Sequence, residues 1–324
     1  MLKIIRTPDN RFENLHGFPF TPNYVEIDNL RIHYIDEGSK SAMPIFLMHG
    51  EPSWSYLYRK MIPILVNAGY RVIAPDLIGF GRSDKLMRMK DYSYKFQVEI
   101  FTKFVTELNL TNLTLFCQDW GGLIGLRVVA DQPERFSKII VANTGLPAFK
   151  GIKAHIFPLL FRYAVWREGK VPLIVANGNE SEEASMKPFI RWVAYSRTTP
   201  EFPIGDIIQS GTQTVLSPEV LNAYNAPFPD ESYKAGTRIM PSLVPTQLKE
   251  NNKVWEQVFA HWTKPLLTMF SDRDPITRGG EKRFQAKIPG AKNQPHITIK
   301  DAGHFLQEDK GEEIAELIIK FIRS

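Results

Sequence analysis

The chain has 324 residues, of which 43% are hydrophobic and 23% charged, and this composition excludes a disordered or fibrous protein. Its 40 Lys and Arg residues exceed its 35 Asp and Glu residues, which gives a net charge of +5, but the two signs are interspersed along the chain. We therefore expect a mildly basic, solvated surface and no nucleic-acid partner. The single cysteine, Cys117, excludes an internal disulfide and a multi-thiolate metal site.

The apolar segments predict a cytoplasmic protein with no membrane association. Residues 1–9, MLKIIRTPD, lack the apolar run of a signal peptide, and no segment reaches the ~18 apolar residues of a membrane-spanning helix. The sequence has no dinucleotide-binding glycine fingerprint and no clustered His ligands, so we expect no cofactor and no metal. Nothing in the sequence requires more than a monomer.

Short apolar runs alternate with longer amphipathic segments along the chain. In chain order, the runs that predict strands are 30–35, 44–48, 71–74, 113–117, 139–142, 266–270 and 297–299. The segments that predict helices are 54–68, 92–108, 123–136, 280–288 and 312–322. Repeated strand–helix–strand units predict an α/β fold, with a mostly parallel central sheet flanked by helices on both faces.

This alternation stops between about residues 146 and 257. Aromatic and proline-rich helical pieces replace the strands there, and the strand pattern resumes at Pro265. We interpret 146–257 as an inserted helical cap domain, and 1–145 together with 258–324 as the core domain. Such a cap would cover the carboxyl edge of the strands, where open α/β sheets bind their ligands.

The segment around Asp119 has the pattern of a nucleophile elbow. Residues 115–122, LFCQDWGG, follow a predicted strand and open a predicted helix, with Cys117 and Gly121 as the small residues that a sharp turn needs. The central residue is Asp119 rather than serine. A carboxylate is ionised at neutral pH, and its attack on a saturated carbon gives an ester that water can cleave. We therefore expect the electrophile to be an alkyl carbon that carries a leaving group.

Two later loops supply candidates for a general base and for the acid that orients it. His304 follows the last predicted strand, and Asp274 follows the strand before it. Asp272 and Asp301 are alternatives for the acid. A single Asp or His is usually structural, but three such residues in this order, each after a predicted strand, match the catalytic triad of α/β-hydrolases.

A fourth loop, 49–52 with the sequence His-Gly-Glu-Pro, also follows a buried strand. In this fold, the loop supplies a backbone N–H to the oxyanion hole. Here that donor would be the N–H of Glu51, paired with the N–H of Trp120. The glycine would serve a tight turn as well.

With these residues in place, the sequence resembles the haloalkane dehalogenases of the α/β-hydrolase fold. The most specific stretches of the resemblance are 49–60, 74–84, 118–122, 226–230 and 232–236. The resemblance implies that Asp119 displaces halide from a haloalkane and forms an alkyl ester. It also implies that His304, assisted by Asp274, activates the water that hydrolyses this ester to a primary alcohol, with release of halide and a proton.

The resemblance further implies two N–H donors that hold the leaving halide. One is the indole of Trp120. Where some members use an Asn after the His-Gly pair, this chain has Glu51, so the second donor is expected from the cap. Trp192 fits that position, and Trp166 is the alternative.

The resemblance bears on the orienting acid as well. Some relatives place it near Asn143, but residues 143–150 contain no Asp or Glu in this chain, which favours Asp274. These features indicate the subgroup with an Asp-His-Asp triad and two halide-binding tryptophans. The partners it implies are a haloalkane substrate and a halide product.

Two other functions remain open at this point. An epoxide hydrolase shares the Asp nucleophile and the His–acid pair, and it would need cap tyrosines to protonate the epoxide oxygen. The predicted cap contains Tyr163, Tyr195, Tyr224 and Tyr233. The Glu51 loop and the Trp192 segment favour dehalogenation. The second alternative is a ligand-binding α/β-hydrolase without catalysis, which the complete triad disfavours.

Overall fold

The computed structural model describes residues 2–173 and 186–324. The strands of these residues are β1 (Ile4–Ile5), β2 (Asn23–Ile27), β3 (Leu30–Glu37), β4 (Pro44–Met48), β5 (Arg71–Pro75), β6 (Lys85–Leu86), β7 (Leu113–Gln118), β8 (Phe136–Ala142), β9 (Leu266–Ser271) and β10 (Ile297–Ile299). The α-helices are α1 (Ile62–Asn67), α2 (Tyr94–Glu107), α3 (Trp120–Asp131), α4 (Lys153–Glu168), α5 (Lys187–Thr198), α6 (Ile204–Ser210), α7 (Pro218–Asn225), α8 (Ala235–Leu243), α9 (Leu248–Gln257), α10 (Glu281–Lys287) and α11 (Leu306–Arg323). Within the described residues, no helix combines the length and apolarity that a bilayer crossing requires.

Eight of the strands form one sheet in the order β10-β9-β8-β7-β4-β5-β3-β2, and β1 pairs with β6 in a separate two-stranded sheet. In the large sheet β3 alone runs opposite to the other strands, so its pairings with β5 and β2 are antiparallel and all other pairings are parallel. Every residue of β7 and β9 is buried, which is typical of parallel strands enclosed between two helix layers. The predicted α/β fold with a mostly parallel sheet is therefore confirmed.

Three of the predicted helices differ from the observed ones, and one of them, predicted over 312–322, already begins at Leu306 as α11. Instead of one helix over 54–68, the chain forms a 3₁₀ turn at Ser55–Tyr58 and then the short helix α1. All four residues of that turn are buried, so the segment packs on every side rather than along one helical face. The helix predicted over 123–136 begins earlier, at Trp120, and ends at Asp131, because Pro133 cannot continue it.

Six α-helices, α4 to α9, lie between β8 and β9 in the chain, and the described residues of this stretch form no strand. The stretch is joined to the rest of the molecule by buried hydrogen bonds. In one of them, the indole N–H of Trp54 donates to the carbonyl of Ala223 at 3.2 Å. The cap boundaries at 146–257 stay a prediction, and residues 174–185 of that range lie outside the described residues.

The carboxyl ends of four adjacent parallel strands meet at one edge of the sheet. β4 ends just before His49, β7 before Asp119, β8 before Asn143 and β9 before Asp272. The loops that follow these strands therefore lie side by side, in the region where such sheets place their ligands.

Candidate active site

Asp119 occupies the sharp turn between β7 and α3, with a φ of 50°. A positive φ is uncommon for a residue other than glycine, and it persists only where the surroundings hold it. The N–H of Asp119 donates to the carbonyl of Asn143 at 3.1 Å, and the hydroxyl of Thr144 donates to the carbonyl of Asp119 at 2.6 Å. A Cβ at Gly121 would lie 1.9 Å from the carbonyl oxygen of Met48, so the start of α3 needs a glycine.

The carboxylate of Asp119 faces the loop that follows β4. Its Oδ1 accepts a hydrogen bond of 2.7 Å from the backbone N–H of Glu51. A Cβ at Gly50 would lie 2.3 Å from the Cβ of Asp119, so the glycine allows the loop to approach the carboxylate this closely. The donor expected from the sequence at Glu51 is thus in contact with the carboxylate that would become the ester.

His49 shapes this loop rather than offering a base. Its Nδ1 donates to the carbonyl of Gly50 at 2.9 Å, and its Nε2 accepts from the N–H of Leu77 at 2.9 Å. Both ring nitrogens are therefore used, in one neutral tautomer. Complete burial lowers the pKa of His49, which keeps the ring uncharged.

His304 lies between two carboxylates. Its Nδ1 is 3.0 Å from Oδ2 of Asp274, and its Nε2 is 3.5 Å from Oδ2 of Asp119. Burial alone would lower the pKa of His304, but the negative charges of Asp274 and Asp119 outweigh burial and raise it. Asp274 is fully buried, and it also accepts hydrogen bonds from the N–H of Ile276, at 2.9 Å, and from the hydroxyl of Thr277. Burial would raise the pKa of Asp274, yet His304 and these donors lower it, so the group stays ionised.

The two alternatives for the acid lie elsewhere. Asp272 faces Arg273 and Lys300, at 4.0 Å and 3.9 Å, and Asp301 is 76% exposed and lies 3.9 Å from Arg273. Neither carboxylate forms an ion pair with His304 among the described residues. The geometry therefore favours Asp274 for the orienting role.

Asn143 connects the loops that carry the three candidate residues. Its side-chain amide nitrogen donates to the hydroxyl of Ser271 at 2.7 Å, and to the carbonyls of Gly303 and His304 at 3.0 Å and 3.1 Å. Its Oδ1 accepts from the N–H of Ser271 at 2.9 Å. Sequence reasoning considered this position only as an alternative place for the acid and missed its bracing contacts.

The side chain of Glu51 is a second feature that sequence reasoning missed. It is only 4% exposed, and its Oε1 has no hydrogen-bond partner among the described residues. Burial, reinforced by the charge of Asp119, raises the pKa of Glu51 well above its usual range. Burial and Asp119 therefore both disfavour a second negative charge at Glu51.

Trp120 is the first residue of α3 and is 2% exposed. Its ring packs edge-on against Tyr94, with 5.2 Å between the ring centroids, and none of the described residues accepts a hydrogen bond from its indole N–H. Trp192 lies on α5, half-buried, and packs against Tyr195 and Phe202, each at 5.8 Å. The position of Trp120 next to Asp119 is fixed by the chain, whereas the ring contacts of Trp192 lie within the predicted cap.

The alternative halide donor, Trp166, lies on α4 and is 74% exposed. Its ring is 5.9 Å from that of Tyr163, which is 57% exposed. A halide held at such a position would remain in contact with water, so the exposure favours Trp192 over Trp166.

The described residues contain no group of three His, Cys, Asp or Glu that could hold a metal ion. Instead, the edge of the sheet brings together the carboxylate of Asp119, the N–H of Glu51 that donates to it, and the buried imidazole of His304 with Asp274. This arrangement suits a displacement by Asp119 followed by hydrolysis of the resulting ester.

Comparisons with known proteins agree with this arrangement. The family model of the alpha/beta hydrolase fold matches residues 43–311, which makes the chain an α/β-hydrolase. The chain is 47% identical to a haloalkane dehalogenase of Psychrobacter cryohalolentis, over 99% of this chain and 98% of that protein. It is 42% identical to a haloalkane dehalogenase of Mycolicibacterium paratuberculosis, over 99% and 98% of the two chains.

A solved structure is similar along nearly the whole chain. The tetrameric haloalkane dehalogenase DpaA from Paraglaciecola agarilytica NO2 is 34% identical, with a TM-score of 0.80 over 98% of this chain and 97% of that one. Within the α/β-hydrolases, the chain therefore belongs to the haloalkane dehalogenase family.

Proposed function

We propose that this protein hydrolyses haloalkanes to a primary alcohol, halide and a proton, through an alkyl ester on Asp119. The observation that carries the proposal is the carboxylate of Asp119, which has the N–H of Glu51 on one oxygen and His304 on the other. The family relationship supports the same chemistry. The proposal needs no metal and no cofactor.

The first step is a displacement at carbon. Oδ2 of Asp119 bonds to the carbon that carries the halogen, the carbon–halogen bond breaks, and the electron pair leaves with the halide. The N–H of Glu51 stays on Oδ1, which becomes the carbonyl oxygen of the ester. The indoles of Trp120 and Trp192 donate hydrogen bonds to the departing halide, and their neutral N–H groups stabilise its charge without neutralising Asp119.

The second step is hydrolysis of the ester. His304 takes a proton from water, and the hydroxide oxygen bonds to the carboxyl carbon of Asp119. The negative charge develops on Oδ1, where the N–H groups of Glu51 and Trp120 stabilise it. When the intermediate collapses, the alcohol oxygen leaves with a proton from His304. The carboxylate is regenerated, and the second proton of the water goes to solvent.

Esterification of Asp119 also prepares His304 for this step. The free carboxylate of Asp119 is one of the charges that raise the pKa of His304. The ester is neutral, so its formation lowers the pKa of the imidazole when a base is needed. Asp274 keeps the ring oriented throughout.

Epoxide hydrolysis is less well supported. Its cap tyrosines would have to direct their hydroxyls at the substrate, but Tyr224 donates its hydroxyl to Glu308, which also binds Arg59 in a buried cluster. Tyr163 lies exposed on α4. Tyr224 and Tyr163 are therefore poorly placed to protonate an epoxide oxygen.

A screen of halide release tests the proposed function. We expect 1-bromobutane and 1,2-dibromoethane to yield one halide for each alcohol formed, as measured by ion chromatography and gas chromatography. Chloro- and iodoalkanes of the same length would then define the halogen preference. Turnover of styrene oxide with no halide from any haloalkane would instead support the epoxide hydrolase. Absence of both activities, with no bromide burst, would support a binding protein.

The two candidate tryptophans of the cap can be separated by substitution. We expect Trp192→Phe to weaken bromide binding and to slow carbon–halogen cleavage about 10-fold or more, because one hydrogen bond to a developing anion is lost. Trp166→Phe is the matched control and should change neither quantity, since Trp166 is exposed to water. Bromide affinity from tryptophan fluorescence and single-turnover halide release measure both. The reverse pattern would assign the donor to Trp166.

We also propose, as the sequence predicts, a cytoplasmic monomer with a core formed by 1–145 and 258–324 and a cap formed by 146–257. The run of helices α4 to α9 between two strands of the sheet supports this division. The proposed partners are a haloalkane and its halide, with no nucleic acid and no membrane.

A further inference from the structure

Gln118, the last residue of β7, has contacts that the proposed mechanism does not use. The side chain is fully buried, and its Nε2 lies 3.1 Å from Nε2 of His304 and 3.1 Å from the carbonyl oxygen of the same residue. Its Oε1 has no hydrogen-bond partner among the described residues. The amide of Gln118 thus faces the ring nitrogen that would take the proton from water.

The orientation of this amide follows from its surroundings. If the amide were turned over, Oε1 would face the carbonyl oxygen of His304 at 3.1 Å, which would place two acceptors against each other. With the nitrogen in that place, one N–H donates to the carbonyl and the other points at Nε2 of His304. An amide nitrogen can only donate, so this contact favours Nε2 of His304 as an acceptor without a hydrogen, whereas Oδ2 of Asp119, 3.5 Å from Nε2, favours the protonated form. The ring hydrogen is then on Nδ1, directed at Asp274.

We propose that Gln118 is a positioning residue that holds His304 as the neutral tautomer with its hydrogen on Nδ1, ready to accept a proton at Nε2. The role rests on the proposed function, in which His304 is the base for ester hydrolysis. The amide also has the carbonyl of His304 as a second acceptor. When a water molecule replaces the amide as the donor to Nε2, the amide therefore still keeps its hydrogen bond to the carbonyl.

Charged groups around His304 act in the opposite direction. Asp274, after β9, and Asp119, at the elbow, both favour the imidazolium and raise the pKa of His304. Glu51, after β4, is the third titratable group that interacts with the ring, and burial raises its pKa, which disfavours its charged form. A protonated Nε2 would direct its hydrogen at the amide hydrogens of Gln118. Gln118 therefore offsets part of the pull of the two carboxylates.

Substitution of Gln118 should shift the pH–rate profile of ester hydrolysis, and not only lower the rate of that step. In Gln118→Leu the amide is gone, the pKa of His304 rises, and the neutral base is populated only at higher pH. The acidic limb of ester hydrolysis should therefore shift upward by about one pH unit or more, which is about a tenfold lower rate on that limb. Gln118→Glu should shift it in the same direction, because a carboxylate beside Nε2 favours the imidazolium, and it retains the shape of the side chain.

Gln97→Leu is the matched control. Gln97 is also fully buried, donates from its amide to the carbonyl of Ile78 at 2.7 Å and leaves its Oε1 without a partner among the described residues. Loss of that bond should leave the limb in place even if stability falls. A lower rate at every pH with an unmoved limb in both Gln118 variants would assign Gln118 a purely structural role and overturn the proposal.

A titration by nitrogen NMR decides the same question without turnover. With ¹⁵N-labelled histidine, and with His304 assigned by its loss in His304→Gln, we expect Nε2 of His304 to lose its proton at a lower pH in the unsubstituted protein than in Gln118→Leu. Identical midpoints in both proteins would refute the role of Gln118. Failure of the protein to release halide would refute the proposed function instead, and this titration would still give its answer.

Discussion

His304→Gln is expected to release one halide per protein molecule and then stop. The displacement by Asp119 needs no base, so the carbon–halogen bond still breaks, but no group remains to activate water for hydrolysis. Steady-state halide release should fall by about 10²- to 10⁴-fold, the usual contribution of a general base. Rapid-quench measurement of the halide burst, together with mass spectrometry, checks this result. The added alkyl group should be found on the peptide that contains Asp119.

His296→Gln provides the matched control. His296 is half-buried after α10, with Nδ1 at 3.1 Å from the hydroxyl of Thr268 and Nε2 at 2.8 Å from the carbonyl of Ala291, away from the candidate site. It should retain full turnover and carry no added mass. An unmodified Asp119 peptide in His304→Gln after exposure to substrate would contradict covalent catalysis by Asp119.

The strands of the sheet were the easiest part of the fold to predict. The runs at 44–48 and 297–299 agree with β4 and β10 residue by residue. In β4, apolar side chains fill both faces of a buried parallel strand, whereas β10 lies at the edge of the sheet with Thr298 exposed. β2 was missed because its sequence, NYVEI, has no continuous apolar run, and its side chains are mostly exposed or half-buried.

Helix boundaries depended on how the segments pack in three dimensions, which the apolar periodicity of the sequence does not show. The apolar spacing in 54–68 resembles a helix, but Trp54, Tyr56 and Tyr58 are all completely buried and pack on several sides. The start of α3 was placed too late because Gly121 and Gly122 have no side chain that could extend the apolar periodicity. That same lack of a side chain allows the helix to approach β4 and Thr144.

The candidate site divides in the same way. Asp119, His304 and Asp274 could be proposed from the sequence because each follows a strand, and strand ends converge at one edge of a parallel sheet. The contacts of Asn143 and Gln118 could not, because an amide hydrogen bond depends on which carbonyls lie within reach in three dimensions. Asn143 has a positive φ, which marks it as an unusual position, but this backbone angle cannot be read from the sequence.

Asp119→Ala is expected to abolish both the halide burst and steady turnover, because it removes the carboxylate that forms the ester. His304 and Asp274 would still be able to activate water, but water would then have to displace the halide directly, without a covalent intermediate. Halide release at the background rate is therefore the expected result, measured under the conditions that give a burst in His304→Gln. Turnover at a rate near that of the unsubstituted protein would show that water is the nucleophile.

Heavy-oxygen water distinguishes the same two routes in the unsubstituted protein. If hydroxide attacks the carboxyl carbon of Asp119, the solvent oxygen enters the carboxylate, and the alcohol of a single turnover takes its oxygen from the side chain. With H₂¹⁸O, the first alcohol should therefore be unlabelled and the Asp119 peptide labelled. Direct displacement by water predicts the opposite distribution. The N–H of Glu51 on Oδ1 favours the first route, since it lies where the oxyanion of ester hydrolysis would form.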